Sequence, residues 1–296
     1  MNVLVTGGGG VLAGAFAQCA RNAGWDVDLC AREAARDGDI SWDVARSEAP
    51  AGLTRLPQCV VHAAAEIGAL DAGLPAGGAF MTANVLGSYR VAAWCAQNRI
   101  EHLVYISSAI VYGHWEGRPK TEGDGVDPWA AGSYAASKYL GESAVEGVRT
   151  KGVTLSILRL SSLYGDAYRD GLPQRFLAQG RRDGRIDVQA PIDDAFHLLH
   201  VEDAAKAIVS VIERKVDGLW NIGGPALVSL EDLAGTCAGA MSLKVKAVLN
   251  SRRQPRILNW VDDSLARRTL GYQPNIGLDE GIWRISQNIG KWSNSS

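Results

Sequence analysis

Short apolar runs alternate with amphipathic stretches along almost the whole chain. Val3-Leu4-Val5, Trp25 to Arg32, Cys59 to Val61, His102 to Ser107, Leu155 to Leu160 and Trp220 to Ile222 read as strands. Apolar character on consecutive positions predicts strands covered on both faces, the situation in a parallel sheet. Between these runs lie helical stretches with a period of about 3.6 residues. They cover residues 11–23, 79–98, the segment around Tyr134, and 201–213, where Ala204, Ala205, Ile208, Val209 and Ile212 share one face. Strand, helix and strand in alternation predict βαβ units and a parallel sheet. Ile40-Ser41-Trp42-Asp43-Val44 suggests a third strand end, with Asp43 placed to meet an adenine amino group.

The first strand runs into Thr6-Gly7-Gly8-Gly9-Gly10-Val11-Leu12-Ala13-Gly14. Strand, glycine turn and helix form the context a dinucleotide fingerprint needs. Gly7 permits a tight turn, Gly10 lets a pyrophosphate approach the backbone at the helix N-terminus, and Ala13 is small enough for close packing. The second strand ends at Ala31-Arg32, followed by Glu33. A carboxylate there would hold the ribose hydroxyls of NAD, whereas an arginine can hold a 2′-phosphate. Arg32 therefore favours NADP(H), and Glu33 keeps NAD(H) open. Ala63-Ala64-Ala65, after the strand that ends at His62, would let a cofactor lie on the backbone. His62 itself reads as a packed strand-end residue.

Tyr134 and Lys138 are four apart and so share a helical face. A phenol titrates near ~10 in water, and a fixed cation beside it lowers that value. The pair is a candidate for proton transfer. Residues 114–132, rich in Gly, Pro and charge, read as a flank of its pocket.

The bulk numbers remove several classes. The chain has 296 residues, 47% hydrophobic and 21% charged, with a net charge of −2 and a pI near 6.2. It has no basic run suited to nucleic acid or a membrane surface, and no apolar run of transmembrane length. Five cysteines in no CxxC arrangement predict buried thiols in a reducing cytosol. Residues 1–20 are uncharged but lack a basic leader and are broken by Gly7 to Gly10, so a signal peptide is not expected and a cytoplasmic protein is. His197 and His200 have no third ligand in sight, and no metal is expected.

Taken in order, these segments resemble the extended short-chain dehydrogenase/reductases, the group of NAD(P)-dependent sugar epimerases, dehydratases and ketoreductases. The matching pieces are residues 6–13, Asp43-Val44, His62 to Ala65, Asn84 with Gly87, and Ser107-Ser108 through Tyr112-Gly113. They continue with Tyr134 and Lys138, Arg159 with Tyr164-Gly165, His200 to Ala205, Asn221 to Gly224, and Leu270 to Pro274. The resemblance implies a Rossmann-type, doubly wound α/β fold. Residues 1–165 would form the dinucleotide-binding core and 166–296 mainly a smaller substrate-binding region, with 196–224 returning to the core. It implies Ser108, Tyr134 and Lys138 as the catalytic set. Cofactor contacts would come from Gly7, Gly9, Gly10, Val11, Leu12, Ala13, Arg32, Asp43, Val44, Ala63, Ala64, Ala65, Asn84, Ser107 and Leu160, with Tyr134 and Lys138. It also implies a homodimer through the helices containing Asn84 and Tyr134.

Two positions depart from relatives that bind nucleotide-sugars. Ser162 stands where they carry an asparagine, and Phe196 where they often carry a diphosphate-binding arginine. Arg175, Arg181, Arg182, Arg252, Arg253 and Arg256 are the candidates to compensate. Ser162, Arg175 and Phe196, with Ser108 and Tyr134, are the candidate substrate contacts. The leading expectation is an oxidoreductase moving a hydride to or from a hydroxyl or keto carbon of a sugar-like substrate. The alternative is an NAD-dependent sugar 4-epimerase with tightly bound cofactor. Dehydration ranks lower, because Ala109 and Ile110 follow Ser108 instead of an acid. A non-catalytic cofactor-binding regulator ranks last, because Tyr134 and Lys138 are both present.

Overall fold

A computed structural model describes residues 1–33, 39–68, 78–115, 117–188, 191–247 and 256–288. Its strands are β1 (Asn2–Thr6), β2 (Asp26–Cys30), β3 (Cys59–His62), β4 (His102–Ser108), β5 (Thr154–Leu160), β6 (Ser162–Tyr164), β7 (Arg185–Val188), β8 (Ala195–His200), β9 (Gly218–Ile222), β10 (Leu227–Ser229), β11 (Lys244–Ala247) and β12 (Ile257–Asn259). The main sheet has the order β2-β1-β3-β4-β5-β9, and every pairing in it is parallel. Its strands read as unbroken apolar runs because both faces are covered. On one face the Val11–Asn22 and Val201–Glu213 helices pack over Val3, Val5, Val61 and Val104. On the other, Leu4, Val60 and Leu103 meet the Gly87–Gln97 helix through Val91, Ala92 and Trp94. This is the doubly wound α/β architecture.

The chain leaves β1 for β2 on one side and resumes at β3 on the other. Such a switch point opens a crevice at the C-terminal ends of the strands. Here those ends are Thr6-Gly7 and His62-Ala63, and they fix where a ligand can lie.

The smaller region is built from a four-stranded sheet in which β8 pairs with β6, β10 and β12, and a two-stranded sheet of β7 and β11. Its core gathers Phe176, Leu177, Ile186, Phe196, Leu233 and Ile282. β9 and the Val201–Glu213 helix belong to the main sheet and its cover, whereas β8 lies in the small sheet.

Two elements differ from the sequence pattern. The strand expected at residues 40–44 is reduced to isolated bridges of Ser41 with Ala31 and Ala51. Trp42 and Val44 are buried against the Gly87–Gln97 helix, and this explains the apolar spacing without a strand. The helix expected over residues 79–98 is present but is interrupted after residues 78–80 by a π-helical turn, Met81–Leu86, before the regular Gly87–Gln97 helix. Such turns arise where a side chain or backbone must be re-aimed, and this one carries Asn84.

Candidate active site

The glycine turn is shaped by close packing. Gly7 has φ +74°. A Cβ on it would lie 2.8 Å from the backbone N and Cα of Ala64. Only glycine therefore lets the end of β1 press against the exit of β3. Gly10 N donates to Gly7 O at 2.8 Å. Gly10 then caps the Val11–Asn22 helix with no side-chain hydrogen bond, which leaves first-turn N–H groups for an anion. Gly9 and Gly10 are exposed, Val11 is half-buried, and Leu12 and Ala13 are buried beneath them. Gly9 and Val11 also line a cavity of about 960 Å³ that follows the Val11–Asn22 helix as far as Asn22 and is lined too by Asp166, Arg169, Val201 and Glu202. Open backbone donors at a switch-point crevice fit a dinucleotide pyrophosphate.

The neighbouring strand end is locked by a hydrogen-bond chain. Ala64 N donates to Thr6 Oγ1 at 3.3 Å, and Thr6 Oγ1 lies 2.7 Å from His62 Nδ1. His62 Nε2 is 3.1 Å from Ser88 Oγ, and Ser88 donates to Asn84 O at 2.5 Å. Because the Ser88 proton is committed to Asn84, His62 carries its own proton on Nε2. Burial, reinforced by Lys138, pushes the imidazole down to about 3. His62 is a neutral structural link. Ala63, Ala64 and Ala65 are half-exposed just beyond it.

Asn84 is fully buried and spends its amide on the protein. Its Oδ1 accepts from Glu66 N at 2.7 Å, and its Nδ2 donates to Glu66 O at 3.1 Å and Ser137 Oγ at 2.9 Å. Ser137 Oγ donates to Tyr134 O at 2.7 Å. The structure thus places this expected cofactor contact as a tie between the β3 exit and the Ser133–Val145 helix. Asp43 is half-buried, accepting from Ala45 N at 3.1 Å and facing exposed Arg46 at 3.6 Å, while Val44 packs under Gly87.

Tyr134 and Lys138 lie on the Ser133–Val145 helix. Lys138 is buried, its Nζ donates to Ile106 O at 2.7 Å, and it stands 4.5 Å over the Tyr105 ring. One residue on, Ser107 Oγ donates to Glu142 Oε1 at 2.5 Å. Glu142 is gripped by Arg159 from β5, at 2.9 Å and 2.7 Å. These contacts fix the helix against the end of β4, where half-buried Ser108 accepts from Ile110 N at 3.3 Å. The Tyr134 ring meets Phe80 edge-on at 5.9 Å. Burial pushes the Tyr134 phenol up to about 12 and the Lys138 ammonium down to about 8, the latter opposed by Glu142. No hydrogen bond joins the two side chains among the described residues. Leu160 lies in the core beneath the Val11–Asn22 helix.

The expected substrate contacts scatter. Ser162 Oγ accepts from Asn259 Nδ2 at 2.5 Å, and Asn259 Oδ1 accepts from His197 N at 2.8 Å. Arg175 is exposed and gripped by Asp170 at 2.7 Å and 3.2 Å. Phe196 is buried, and its apolar ring packs in the core of the small region. Arg256 is held on buried Asp194 at 3.0 Å and Arg182 on Asp183 at 2.8 Å. Arg252 and Arg253 lie outside the described residues. Asp203, fully buried, accepts from Asn275 N and Ile276 N at 2.9 Å, a structural duty. Among the described residues no three His, Cys, Asp or Glu side chains converge as a metal site, and no helix is long and apolar enough to cross a membrane.

The family model for the NAD dependent epimerase/dehydratase family matches residues 3–223. The chain belongs to this family and is an enzyme of the NAD-dependent oxidoreductase and epimerase type. A putative UDP-glucose 4-epimerase of Methanocaldococcus jannaschii is 27% identical over 209 residues, 68% of this chain and 67% of that protein. A 2-alkyl-3-oxoalkanoate reductase of Stenotrophomonas maltophilia is 26% identical, covering 96% of this chain and 98% of its own. Among solved structures, the UDP-glucuronic acid 4-epimerase of Bacillus cereus, in complex with UDP-glucuronic acid and NAD, superposes with a TM-score of 0.85 at 19% identity, covering 99% of this chain and 100% of its own. MoeE5, in complex with UDP-glucose and NAD, superposes at 0.83 with 23% identity, covering both chains fully.

These findings correct the expectation of NADP(H). The family is described as NAD dependent, and the similar structures are NAD complexes. The physical reason is visible at Arg32. Its guanidinium lies 3.5 Å from Glu66 Oε2 at the surface, and a carboxylate at that distance opposes a 2′-phosphate. The comparisons also favour the epimerase alternative over net oxidoreduction. Sequence reasoning missed Glu142, Tyr105 and Phe80 as neighbours of the Tyr134–Lys138 pair. Only Glu142 left a signal, its spacing four residues beyond Lys138.

Proposed function

We propose that this chain is an NAD-dependent 4-epimerase acting on a nucleotide-linked sugar, with residues 1–165 as the cofactor core and the region beyond as the main source of substrate contacts. The carrying observation is the pinning of the Ser133–Val145 helix to the end of β4 by Lys138 on Ile106 O and Glu142 on Ser107. It supports Ser108, Tyr134 and Lys138 acting at one edge of the crevice. The glycine turn with Val11, Leu12 and Ala13 would hold the pyrophosphate, and Ala63 to Ala65 would carry the nicotinamide half. NAD, when bound there, would supply the hydride-transfer chemistry.

Ser108 Oγ would hydrogen-bond the substrate oxygen. Tyr134 Oη would take the proton from that oxygen and return it. Lys138 would bind the nicotinamide ribose and, as a nearby ammonium, draw the phenol down from its buried value. Ala109 and Ile110 offer no second acid, which favours epimerisation over dehydration. Five free thiols, four of them buried, support a reducing, cytoplasmic location. The half-exposed face of the Gly87–Gln97 and Ser133–Val145 helices supports a homodimer.

The test is incubation of the purified protein with UDP-glucose or UDP-glucuronic acid. The expected result is the C4 epimer, with no net change in the reduced-nicotinamide absorbance. Steady consumption of NADH with a keto substrate would instead establish net oxidoreduction, the class of the Stenotrophomonas relative.

A further inference from the structure

Two sequence motifs have no role in the proposed chemistry, Tyr112-Gly113 and the segment that opens with Asn221. The fold joins them at the C-terminal end of the main sheet. Tyr112 is 2% exposed, and its Oη donates to Asn221 Oδ1 at 2.8 Å. Asn221, on β9, is fully buried. Its Nδ2 donates to Lys120 O at 2.9 Å, which leaves Oδ1 as the atom that meets Tyr112. Its backbone N donates to Glu122 Oε1 at 2.8 Å. Lys120 in turn pairs with the segment following β12: Lys120 N donates to Trp260 O at 2.9 Å, and Asp262 N donates to Lys120 O at 2.8 Å. One residue thus joins β9, the flank of the pocket and the small region.

We propose that Asn221, acting through Tyr112, is a positioning residue for Ser108. This rests on the assignment of Ser108 as the hydroxyl that meets the substrate oxygen.

The path from Asn221 to Ser108 is short. Ser108 caps the single turn Ala109–Tyr112 by accepting from Ile110 N at 3.3 Å. A hydroxyl has one proton and two lone pairs. With Ile110 N on one lone pair, the Ser108 proton is left for a substrate oxygen. The turn therefore sets the catalytic hydroxyl. A four-residue turn has too few hydrogen bonds to hold itself, and this one is anchored at its far end. There the Arg159 guanidinium of β5 stands 4.8 Å over the Tyr112 ring, and the phenol is tied to β9. Gly113 follows with φ +77°, and a Cβ on it would collide with Asp127 O. Asp127 caps the Pro128–Ala131 turn that leads into the helix of Tyr134. For packing alone an apolar ring would serve, since a buried hydrogen bond gains only about 1 kcal/mol net. What the bond adds is a ring position dictated by β9.

The experiment follows single amides by NMR hydrogen exchange in the NAD-saturated protein. Ile110 N reports on the Ser108 oxygen it meets, and Gly113 N, which donates to Ile110 O at 3.0 Å, reports on the turn. In Tyr112→Phe both amides should exchange about five- to tenfold faster, the loss of one hydrogen bond, while Val5 and Val61 keep wild-type rates. Asn221→Leu cuts the tie from the other side. It should act in the same direction, less strongly because Tyr112 keeps Thr121 O at 3.0 Å. Either variant decides if the other fails to fold, and NAD affinity close to wild type shows which are folded. A second arm measures turnover. Tyr112→Phe should lower kcat about five- to tenfold, yet cost nothing further in Ser108→Ala, because its effect passes through Ser108. Unchanged Ile110 exchange in a folded variant overturns the proposal. So does a full loss of kcat in the Ser108→Ala background. A wild-type protein that turns over neither UDP-sugars nor a keto substrate overturns the epimerase reading alone, and the exchange rates then decide the proposal by themselves.

Discussion

At the residue scale, two buried bases, His62 on β3 and Lys138 on the Ser133–Val145 helix, respond to pH in the same sense because burial lowers both. His62 has no charge to pair with and is held neutral, its value lowered from 6.5 to about 3 by burial and then by Lys138. In the unfolded chain it would take up a proton as pH falls below its ordinary value, while the folded state would not. The unfolded state then binds more protons, and stability falls as pH drops from about 6.5 towards 3. His102, lowered to about 4 by burial, acts in the same direction. Urea midpoints at pH 7 and pH 4.5 should show a smaller acid loss for His62→Gln than for wild type. An unchanged loss would mean that His62 titrates normally. Lys138 is the counterpart at high pH. Its burial cost is fully present below about pH 8 and is relieved as pH rises towards 10.5. For chemistry, Tyr134→Phe removes the one proposed proton carrier while keeping the ring on Phe80. Turnover should fall by a factor of about 10² to 10⁴, with NAD affinity nearly unchanged in a binding titration. Tyr134 and Lys138 were legible because one helical face needs only sequence spacing. Asn84 was not, because its partners Glu66 and Ser137 are 18 and 53 residues away.

At the scale of elements, the Ser133–Val145 helix is positioned by what it lacks as much as by what it carries. A Cβ on Gly141 would lie 2.7 Å from Asn84 O and collide with Tyr105 Oη. Glycine in a helix interior costs about 1 kcal/mol relative to alanine, so this one is retained for the close approach of the Met81–Leu86 turn and β4. Gly141→Ala should therefore destabilise by about 1–3 kcal/mol through overpacking, despite its better helix propensity. It should also lower turnover by displacing Lys138. Chemical denaturation and single-turnover assays would check both, and a stabilised variant with full turnover would refute the packing argument. Periodicity revealed the helices and most strands of the main sheet because each buries a continuous apolar face. It misplaced a strand at residues 40–44, where Trp42 and Val44 satisfy the same pattern from irregular backbone. The π-helical turn left no periodic trace, since it departs from regular helix over Met81–Leu86 alone.

At the scale of the whole molecule, the parallel main sheet followed from the alternation of elements. The small region did not, because its sheet joins β6, β8, β10 and β12 from segments up to about a hundred residues apart. Cofactor choice was misread for a related reason: Arg32 was weighed only against its sequence neighbour Glu33, and its partner Glu66 arrives from the exit of β3. The same scale carries the dimer. The Gly87–Gln97 helix and the segment ending in Glu146–Lys151 leave a groove lined by Tyr89, Ala92, Ala96, Ala144, Val148 and Lys151. Leu86 and Tyr89 are 43% and 56% exposed beside it. Small residues allow close helix approach, and a tyrosine is a favourable interface anchor. Lys138 on the Ser133–Val145 helix and Asn84 on the Met81–Leu86 turn are buried away from this surface, so a partner packed here would stiffen the site without entering it. Tyr89→Glu places a charge at the centre of that face, where it would be buried without a partner. Light scattering across a dilution series should then show a dimer for wild type and a monomer for Tyr89→Glu. The variant should retain NAD binding but lose thermal stability at concentrations where wild type is associated. Equal masses for both proteins would place the interface elsewhere or show the chain to act as a monomer.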